Sequence, residues 1–465
     1  MEEDELEPLG ELPPEPHLVM LDADRIHDYV FAPHQLRLIR GGSAKQLDLA
    51  ETVLWHELRE RGAQRIFAGG GTVMGVFSGM KAADAFCRYG EERFYTATGG
   101  AATVTGAAQA WLGEGDDGFR STLLALRAKL EREKNARNDH CFAGSRPYWK
   151  VCEACGLHSA TASVPAPVVP KAFCGPCLLR WKEDKTPYLE RANNARKTPR
   201  RLKAPKDFNS LADGSKPEGY LALIYIDGDA MGRYLIDHGA KSRATYRNLS
   251  RRVRETFQEG VIEACAKVSP AEGTAPFEIL LTGGDDALVM MQAQLALDFV
   301  AHFHQRFQAA PLDPPTTYSV AIVFAHASFP IPQFLNHADE LLRSAKKRRG
   351  ECSADFKAIT EALADPDVDR SVPSTAKPYS IEELTRLAQT VTAWKTAGVP
   401  RNKVNALYRM AYGGRMQAEL DYWQLLSRLE ERHKTLLRSF FGTSFWRDGK
   451  TKAADLVELW SFVQP

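Results

Sequence analysis

The chain has 465 residues, with 60 Lys and Arg against 59 Asp and Glu, for a formal net charge of +1. This balance gives no global basicity that would indicate a nucleic-acid partner. No apolar run approaches the roughly 20 residues that a membrane span requires. The length predicts three or four domains, and the lack of a secretory signal predicts a cytoplasmic protein.

The N-terminal part of the chain contains a tail followed by a strand and a hairpin. Residues 1–16 are acidic and rich in proline, which predicts a disordered tail. Residues 18–24 form an apolar strand that ends in two spaced carboxylates. Residues 65–77 carry two apolar runs around Gly-Gly-Gly-Thr, which is typical of a tight hairpin. Leucines at helical spacing then predict a helix over residues 118–137.

Four cysteines in the middle of the chain form two Cys-x-x-Cys pairs separated by 18 residues. They are Cys152, Cys155, Cys174 and Cys177. Four thiolates at this spacing suit tetrahedral Zn²⁺, and a closed four-sulfur site predicts a structural role. Disulfides are the alternative, which is disfavoured in a chain without a secretory signal.

The segment 180–206 is strongly basic. It carries ten Lys and Arg against three acids, a local balance of +7, and it contains three prolines. Clustered cations predict contact with an RNA backbone, but a solvated linker has the same composition. Both interpretations remain open at the level of sequence.

A second strand and hairpin follow, and here the turn is acidic. Residues 277–281 and 287–291 are apolar runs that predict two antiparallel strands. The turn between them includes Gly283, Gly284, Asp285 and Asp286. Adjacent carboxylates on a tight turn favour a hard cation, Mg²⁺ or Mn²⁺. An ordinary Gly-Asp hairpin turn is the alternative.

The apolar run 221–226 predicts a central strand buried on both faces, and it ends in Asp227-Gly228-Asp229. If this strand neighbours the acidic hairpin, Asp227 lies beside its two aspartates, which is the layout of a two-metal phosphoryl-transfer site. Gly228 would allow a triphosphate to approach the backbone. Residues 335–347 predict a helix whose Lys346 either reaches a triphosphate or belongs to a solvated helix end.

These motifs resemble those of the large subunit of type III CRISPR effector complexes. The resemblance rests on Ile-Asp-Gly-Asp-Ala-Met-Gly (226–232), Leu-Thr-Gly-Gly-Asp-Asp-Ala-Leu (281–288) and Ala-Asp-Glu-Leu-Leu-Arg-Ser-Ala-Lys-Lys (338–347). That family joins ATP molecules 3′ to 5′ into cyclic oligoadenylates on a palm domain related to GGDEF-type cyclases. It implies two metal ions held by Asp227, Asp285 and the accessory acid Asp286, and a phosphate contact from Lys346. Asp229 and the glycines Gly228, Gly283 and Gly284 are expected to line the nucleotide site.

The resemblance also accounts for the earlier strand and hairpin as a first, degenerate palm that helps to bind a second ATP. Aligning the two Gly-Gly pairs places Gly71 and Thr72 where Asp285 and Asp286 stand, so this copy has lost its hairpin acids. Arg40 and Ser43 resemble a ligand-contacting Arg-Gly-x-Ser stretch of the family. The Gly41-Gly42 pair there is equally compatible with a helix C-cap.

The resulting fold prediction is α+β, with two ferredoxin-like palms, a four-cysteine zinc ribbon between them and an all-α C-terminal domain. The predicted boundaries are 17–140 for the first palm, 141–215 for the ribbon and basic linker, 216–375 for the second palm and 376–465 for the helical domain. The resemblance implies that the helical domain contacts smaller CRISPR subunits or guide and target RNA. A stand-alone or oligomeric form is also compatible with the sequence.

Large subunits of this family often begin with a metal-dependent nuclease domain built on a His-Asp doublet. The only doublet here, His27-Asp28, lies inside the first palm pattern, where it reads as the start of a helix. We therefore expect a reduced member without DNase activity.

Three functions are compatible with these observations. The first is synthesis of cyclic oligoadenylate from ATP in antiviral defence. The second is a non-catalytic scaffold, which would have no reason to assemble three carboxylates. The third is a cyclase with another product, such as a cyclic dinucleotide.

Overall fold

A computed structural model describes residues 8–136, 148–165, 170–183, 185–196, 198–360, 375–412 and 414–465. Its first domain is an antiparallel sheet with the strand order β2-β3-β1-β4. The strands are β1 (Pro16–Asp24), β2 (Gln64–Gly69), β3 (Thr72–Ser78) and β4 (Thr103–Ala110). The helices are α1 (Ile26–Phe31), α2 (Leu36–Asp48), α3 (Trp55–Glu60), α4 (Met80–Thr98) and α5 (Phe119–Ala136), with a π-helical segment (Leu49–Leu54) joining α2 to α3.

The four-cysteine region is a small hairpin followed by short helices. Its strands are β5 (Ala162–Val164) and β6 (Lys171–Phe173), and its helices are α6 (Gly175–Lys182), α7 (Pro187–Ala195) and α8 (Phe208–Ala212). Helix α6 packs across the middle of α2, where a Cβ on Gly41 would lie 2.1 Å from the carbonyl oxygen of Arg180. Gly41 is therefore needed for helix packing, and the proposed C-cap at Gly41-Gly42 is wrong because α2 continues to Asp48.

The second palm repeats the first and extends it. Its strands are β7 (Tyr220–Gly228), β8 (Phe277–Thr282), β9 (Asp286–Gln292), β10 (Tyr318–His326), β11 (Ser353–Ala358) and β12 (Tyr379–Ser380). Its helices are α9 (Met231–Tyr234), α10 (Arg243–Lys267), α11 (Ala296–Ala309) and α12 (Ile331–Ala345). The order β8-β9-β7-β10 matches β2-β3-β1-β4, and β11 adds to the far side parallel to β10. The internal repeat inferred from the sequence is thus present in the topology.

Strand β7 lies in the middle of this sheet and is buried on both faces, as its continuous apolar run predicts. Alternate residues point to opposite faces. Ala222, Ile224 and Ile226 belong to a core shared with the C-terminal helices, whereas Leu223 belongs to a core shared with the first palm. The two palms therefore share one apolar core. This shared core fixes the position of the hairpin of one palm relative to the hairpin of the other.

The C-terminal part consists of α13 (Ile381–Thr396), α14 (Arg401–Ala411), α15 (Arg415–Ser427), α16 (Glu431–Phe441) and α17 (Ala453–Leu459). It is helical as predicted. A buried polar group ties it to the sheet: the Tyr379 hydroxyl donates to Asp455 at 2.5 Å, and Lys377 contacts Glu458 at 2.6 Å. Within the described parts of the chain, no helix has both the length and the apolar character required to cross a membrane.

The predicted disordered tail is wrong for residues 8–16, which run along the first palm. The Gly79 amide donates to the Glu15 carbonyl at 2.9 Å, the Ser78 hydroxyl donates to the Pro14 carbonyl, and Pro16 already belongs to β1. Backbone groups in this segment bond to the edge of the β2–β3 hairpin, and a composition rich in proline and acid does not prevent such contacts. Residues 1–7 lie outside the described residues.

Candidate functional site

The strand end and the acidic hairpin meet in the second palm. In the antiparallel register of β7 and β9, Asp227 lies directly opposite Asp286. The Gly228 amide donates to the Asp285 carbonyl at 3.0 Å, and the Gly283 amide donates to the Asp286 carbonyl at 2.8 Å, closing the turn. The predicted juxtaposition of the three aspartates is therefore present. It arises because a buried central strand and a hairpin pair along their whole length.

Crowding these carboxylates raises their pKa values. Burial, and then the charges of Asp286 and Asp227, raise the pKa of Asp285 to about 7. Burial also raises the pKa of Asp286, opposed by the nearby His27. The site thus holds more negative charge than it can stabilise alone, and a bound cation would restore full ionisation.

The ammonium group of Lys346 supplies one positive charge next to these carboxylates. Lys346 follows the end of α12, and its ammonium lies 2.5 Å from Oδ2 of Asp227. Burial raises the pKa of Asp227, and Lys346 counteracts that rise. The Lys346 side chain is 40 % exposed in this pair, so it is accessible from the solvent.

Asp229, which was predicted to line the nucleotide site, is instead engaged by the neighbouring strand. Its carboxylate accepts from the hydroxyls of Thr317 at 2.6 Å and Ser319 at 2.8 Å. In the first palm, Asp24 accepts in the same way from Thr103 and Thr105. Both carboxylates therefore brace the end of the central strand against β10 or β4, and their repetition indicates a role in the fold.

The glycines allow backbone and side chains to approach closely. A Cβ on Gly228 would lie 2.8 Å from Met231 and 3.1 Å from Asp285, and a Cβ on Gly283 would lie 1.9 Å from Oδ1 of Asp286. The Cβ direction of Gly228 is thus filled by the protein, and the approach of a triphosphate to its backbone stays a prediction. Between the palms, a Cβ on Gly70 would lie 2.9 Å from the Gly284 amide, so the two hairpin turns touch.

A cleft of about 600 Å³ opens where the two hairpins meet. The second palm lines it with Asp227, Asp285 and Asp286, and the first palm contributes Asp22 and Thr72. The register Asp22 opposite Thr72 repeats Asp227 opposite Asp286, as the alignment of the two units predicts. The acids of one palm thus face the acid-poor equivalent of the other across a single cleft.

Lys134 and His27 are residues of this region that the sequence reasoning missed. The Lys134 ammonium lies 2.5 Å from Asp22 Oδ2 and 3.3 Å from Asp24 Oδ1, which repeats the Lys346–Asp227 pair in the first palm. His27 Nε2 lies 4.0 Å from Asp286 Oδ2. The repeat contained a signal for Lys134, because both lysines lie at the C-terminal end of the α-helix that follows the fourth strand of their palm. The sequence contained no comparable signal for His27.

Arg40 and Ser43, predicted to contact a ligand, lie inside the interface between the palms. Arg40 makes a buried two-point ion pair with Glu278 on β8, with Nε 2.9 Å from Oε1, and it also donates to the Pro205 carbonyl. Ser43 is 2 % exposed. The predicted ligand contact of Arg40 is corrected. Helix α2 packs on β8, and the buried carboxylate of Glu278 requires a cationic partner, which is Arg40.

The four cysteines converge as the spacing predicts. Their sulfurs all lie within 4.8 Å of one another, and all four residues are buried. The Cys155 and Cys174 sulfurs are 3.9 Å apart, which is close to the edge of about 3.8 Å of a tetrahedron with Zn–S bonds of ~2.3 Å and far longer than a disulfide bond. The site therefore fits a tetrahedral metal. Among the described residues, it is the only group of three or more such ligands gathered closely enough to hold a metal ion.

Much of the basic segment pairs within the chain. Arg180 is buried against Tyr29, donating to its carbonyl, while Arg196 donates to the carbonyls of Pro270 and Ala271. Arg191 and Arg200 pair with Glu259 and Glu272 of the second palm. These four arginines tie the linker to the palms, which favours the linker interpretation for this part of the segment.

Comparisons with known proteins agree with this architecture. Residues 220–353 match the family model of the Cas10/Cmr2 second palm domain. The whole fold resembles the Csm1-Csm4 cassette in complex with cA4, at 13 % identity and a TM-score of 0.63, covering 96 % of this chain and 70 % of that chain. The apo Csm1-Csm4 cassette gives 15 % identity and a TM-score of 0.63, covering 95 % and 70 %. The Csm1-Csm4 subcomplex of the type III-A CRISPR-Csm interference complex gives 15 % identity and a TM-score of 0.61, covering 96 % and 70 %. No curated protein sequence matches.

The fold and the facing hairpins define a twin-palm protein. Its second palm matches the Cas10/Cmr2 second palm domain over residues 220–353, and the chain as a whole shares the fold of the solved Csm1-Csm4 cassettes. The resemblance drawn from the motifs is thereby confirmed. At 13–15 % identity, the solved structures establish the shared fold and leave the chemistry of this chain to its own residues.

Proposed function

We propose that the chain is a nucleotidyltransferase that joins ATP 3′ to 5′ into cyclic oligoadenylates. The observation that carries this proposal is the register pair Asp227–Asp286, with Asp285 adjacent, opening into a cleft shared by two palms. Solved structures with this fold have been obtained in complex with AMPPNP, with pppApA and with cA4. An ATP analogue, a linear adenylate and a cyclic adenylate have thus been found bound to one such fold.

The chain's own residues supply the orientation and charge for this reaction. Asp227, Asp285 and Asp286 present carboxylate oxygens, the ligands that Mg²⁺ and Mn²⁺ prefer. These carboxylates would hold two such ions, which would supply activation of the attacking 3′-hydroxyl and neutralisation of the leaving pyrophosphate. Lys346, now paired with Asp227, is positioned to exchange that carboxylate for a phosphate oxygen of the triphosphate.

The first palm provides the surface for the acceptor nucleotide. Its Asp22 is held by Lys134 and by the Thr72 hydroxyl at 2.5 Å, so this carboxylate is already neutralised. Thr72 stands where the active palm has Asp286. The first palm therefore carries too little free negative charge to compete for metal, and it holds a nucleotide through cationic and neutral groups.

We retain the domain division 17–140, 141–215, 216–375 and 376–465 as a proposal, with Zn²⁺ at the four cysteines as a structural ion. The related Csm1 chains are found with Csm4 and within an interference complex. We propose smaller CRISPR subunits and guide or target RNA as partners here.

The function is tested by incubating the protein with ATP and Mn²⁺ or Mg²⁺, with and without partner subunits and target RNA, and analysing products by mass spectrometry. Asp285→Ala with Asp286→Ala should abolish cyclic adenylates while leaving folding and assembly intact. Glu430→Ala with Glu431→Ala, which removes two adjacent exposed acids of the helical domain, is the matched control and should retain synthesis. Lack of product from the assembled complex would favour a scaffold, and a cyclic dinucleotide would favour the third function.

A further inference from the structure

His27 belongs to the first palm but lies at the acids of the second. Helix α1 begins directly after β1, and it carries the imidazole to 4.0 Å from Asp286 Oδ2. The ring lies 5.9 Å from that of Tyr225 and meets Phe31 edge-on at 6.0 Å, measured between centroids. The imidazole therefore lies beside an acid of the second palm while its ring contacts Tyr225 and Phe31.

Comparison of the two palms shows that only the first palm extends a side chain from this position toward the other palm. Arg25 and Ala230 occupy matching positions after the strand carboxylates, and both have a left-handed backbone, with φ of 48° and 52°. His27 therefore aligns with Gly232, which has no side chain to extend toward the first palm. The first palm, which lacks the hairpin acids, thus places the imidazole of His27 next to the hairpin acids of the second palm.

We propose that His27 supplies a nitrogen ligand to the divalent cation held by Asp286 and Asp227, so that the site selects Mn²⁺ or Co²⁺ over Mg²⁺. This inference rests on the proposed function, since it concerns the metal of the same site. Imidazole suits first-row transition ions, whereas Mg²⁺ strongly prefers oxygen. The degenerate palm then has a role in metal choice besides holding nucleotide.

The geometry requires only a small adjustment. Adjacent ligands of an octahedral ion with bonds of ~2.1 Å lie about 3 Å apart, which is about 1 Å less than the present separation of His27 Nε2 and Asp286 Oδ2. The His27 side chain is 38 % exposed and that of Asp286 is 28 % exposed, so neither side chain is fully enclosed by its neighbours. The alternative is a simple ion pair between the His27 imidazolium and Asp286. In that case no nitrogen atom of His27 binds the metal.

The test is pulsed electron paramagnetic resonance of the full-length, nucleotide-free protein loaded with one equivalent of Mn²⁺. A directly bound imidazole gives ¹⁴N hyperfine coupling at the manganese. The wild type should show this coupling, and His27→Gln and His27→Asn should both lose it. Mn²⁺ affinity, measured from the signal of free Mn²⁺, should fall at least tenfold in these variants, because even groups behind a ligand cost about 10–100-fold. Mg²⁺ affinity, measured by competition, should change less than twofold.

Two controls locate the signal. His34→Gln removes an exposed imidazole near α2 and should retain the coupling. Asp286→Asn should weaken Mn²⁺ binding and reduce the coupling together. A wild-type spectrum without ¹⁴N coupling, or coupling that persists in His27→Gln, would overturn the inference. Cyclic adenylate synthesis with Mg²⁺ is then assayed in the same variants: if it persists without ¹⁴N coupling in the wild type, the inference fails and the proposed function stands.

Discussion

Replacing Asp285 with asparagine removes a charge that the metal-free fold stabilises poorly. The pKa of this carboxyl rises from 3.8 to about 7, chiefly through burial and then through Asp286 and Asp227. Between these values, the unfolded chain has released the proton and the native protein still holds it. Wild-type stability therefore falls as pH rises through this window and levels off above pH 7.

The magnitude follows from the shift. Each pKa unit corresponds to about 1.4 kcal/mol, so the full penalty above pH 7 is about 4 kcal/mol, and it is about 2 kcal/mol at pH 5.5. Asparagine has no such penalty. We expect the stability advantage of Asp285→Asn over the wild type to widen by about 2 kcal/mol between pH 5.5 and pH 8.

The assay is thermal unfolding in metal-depleted buffer at the two pH values. Chelators are avoided because they would also strip the four-cysteine site. Adding Mn²⁺ should stabilise the wild type more than the variant, since a ligand stabilises the form that binds it. A stability difference that stays the same at both pH values, or a variant less stable at pH 8, would refute the reasoning.

Three further predictions concern the surrounding structure. Arg40→Met should lower the free energy of unfolding, measured with denaturant, by about 3–5 kcal/mol, because it leaves Glu278 charged and buried. Adding Glu278→Met should recover most of that loss. If the double variant is no more stable than Arg40→Met, the prediction of a buried ion pair is wrong. Lys346→Met should raise the KM for ATP with folding unchanged, whereas Lys347→Met on the adjacent exposed residue should not; equal effects would assign both lysines to general surface charge. Cys174→Ala should abolish zinc measured by elemental analysis and expose the hairpin β5–β6 to hydrogen exchange, while the exchange of β7 should be unchanged; protection of both would contradict a metal-dependent ribbon.

The sequence by itself determined the repeated strand and hairpin, the four-cysteine cluster and the meeting of Asp227 with the acidic turn. These features follow from local patterns: an apolar run of strand length, a Gly-Gly turn, and thiols at metal spacing. Once a hairpin pairs with a central strand, the register places the carboxylates opposite one another without further information.

Only the tertiary structure decided which of the flanking residues face the cleft. Arg40 and Glu278 are 238 positions apart, so their pairing depends on how α2 packs on β8. Asp229 is engaged by hydroxyls 88 and 90 positions away, and His27 reaches Asp286 across the boundary between the palms. Such contacts depend on the docking of one repeat against the other through a shared core, and no pattern within either repeat encodes that docking.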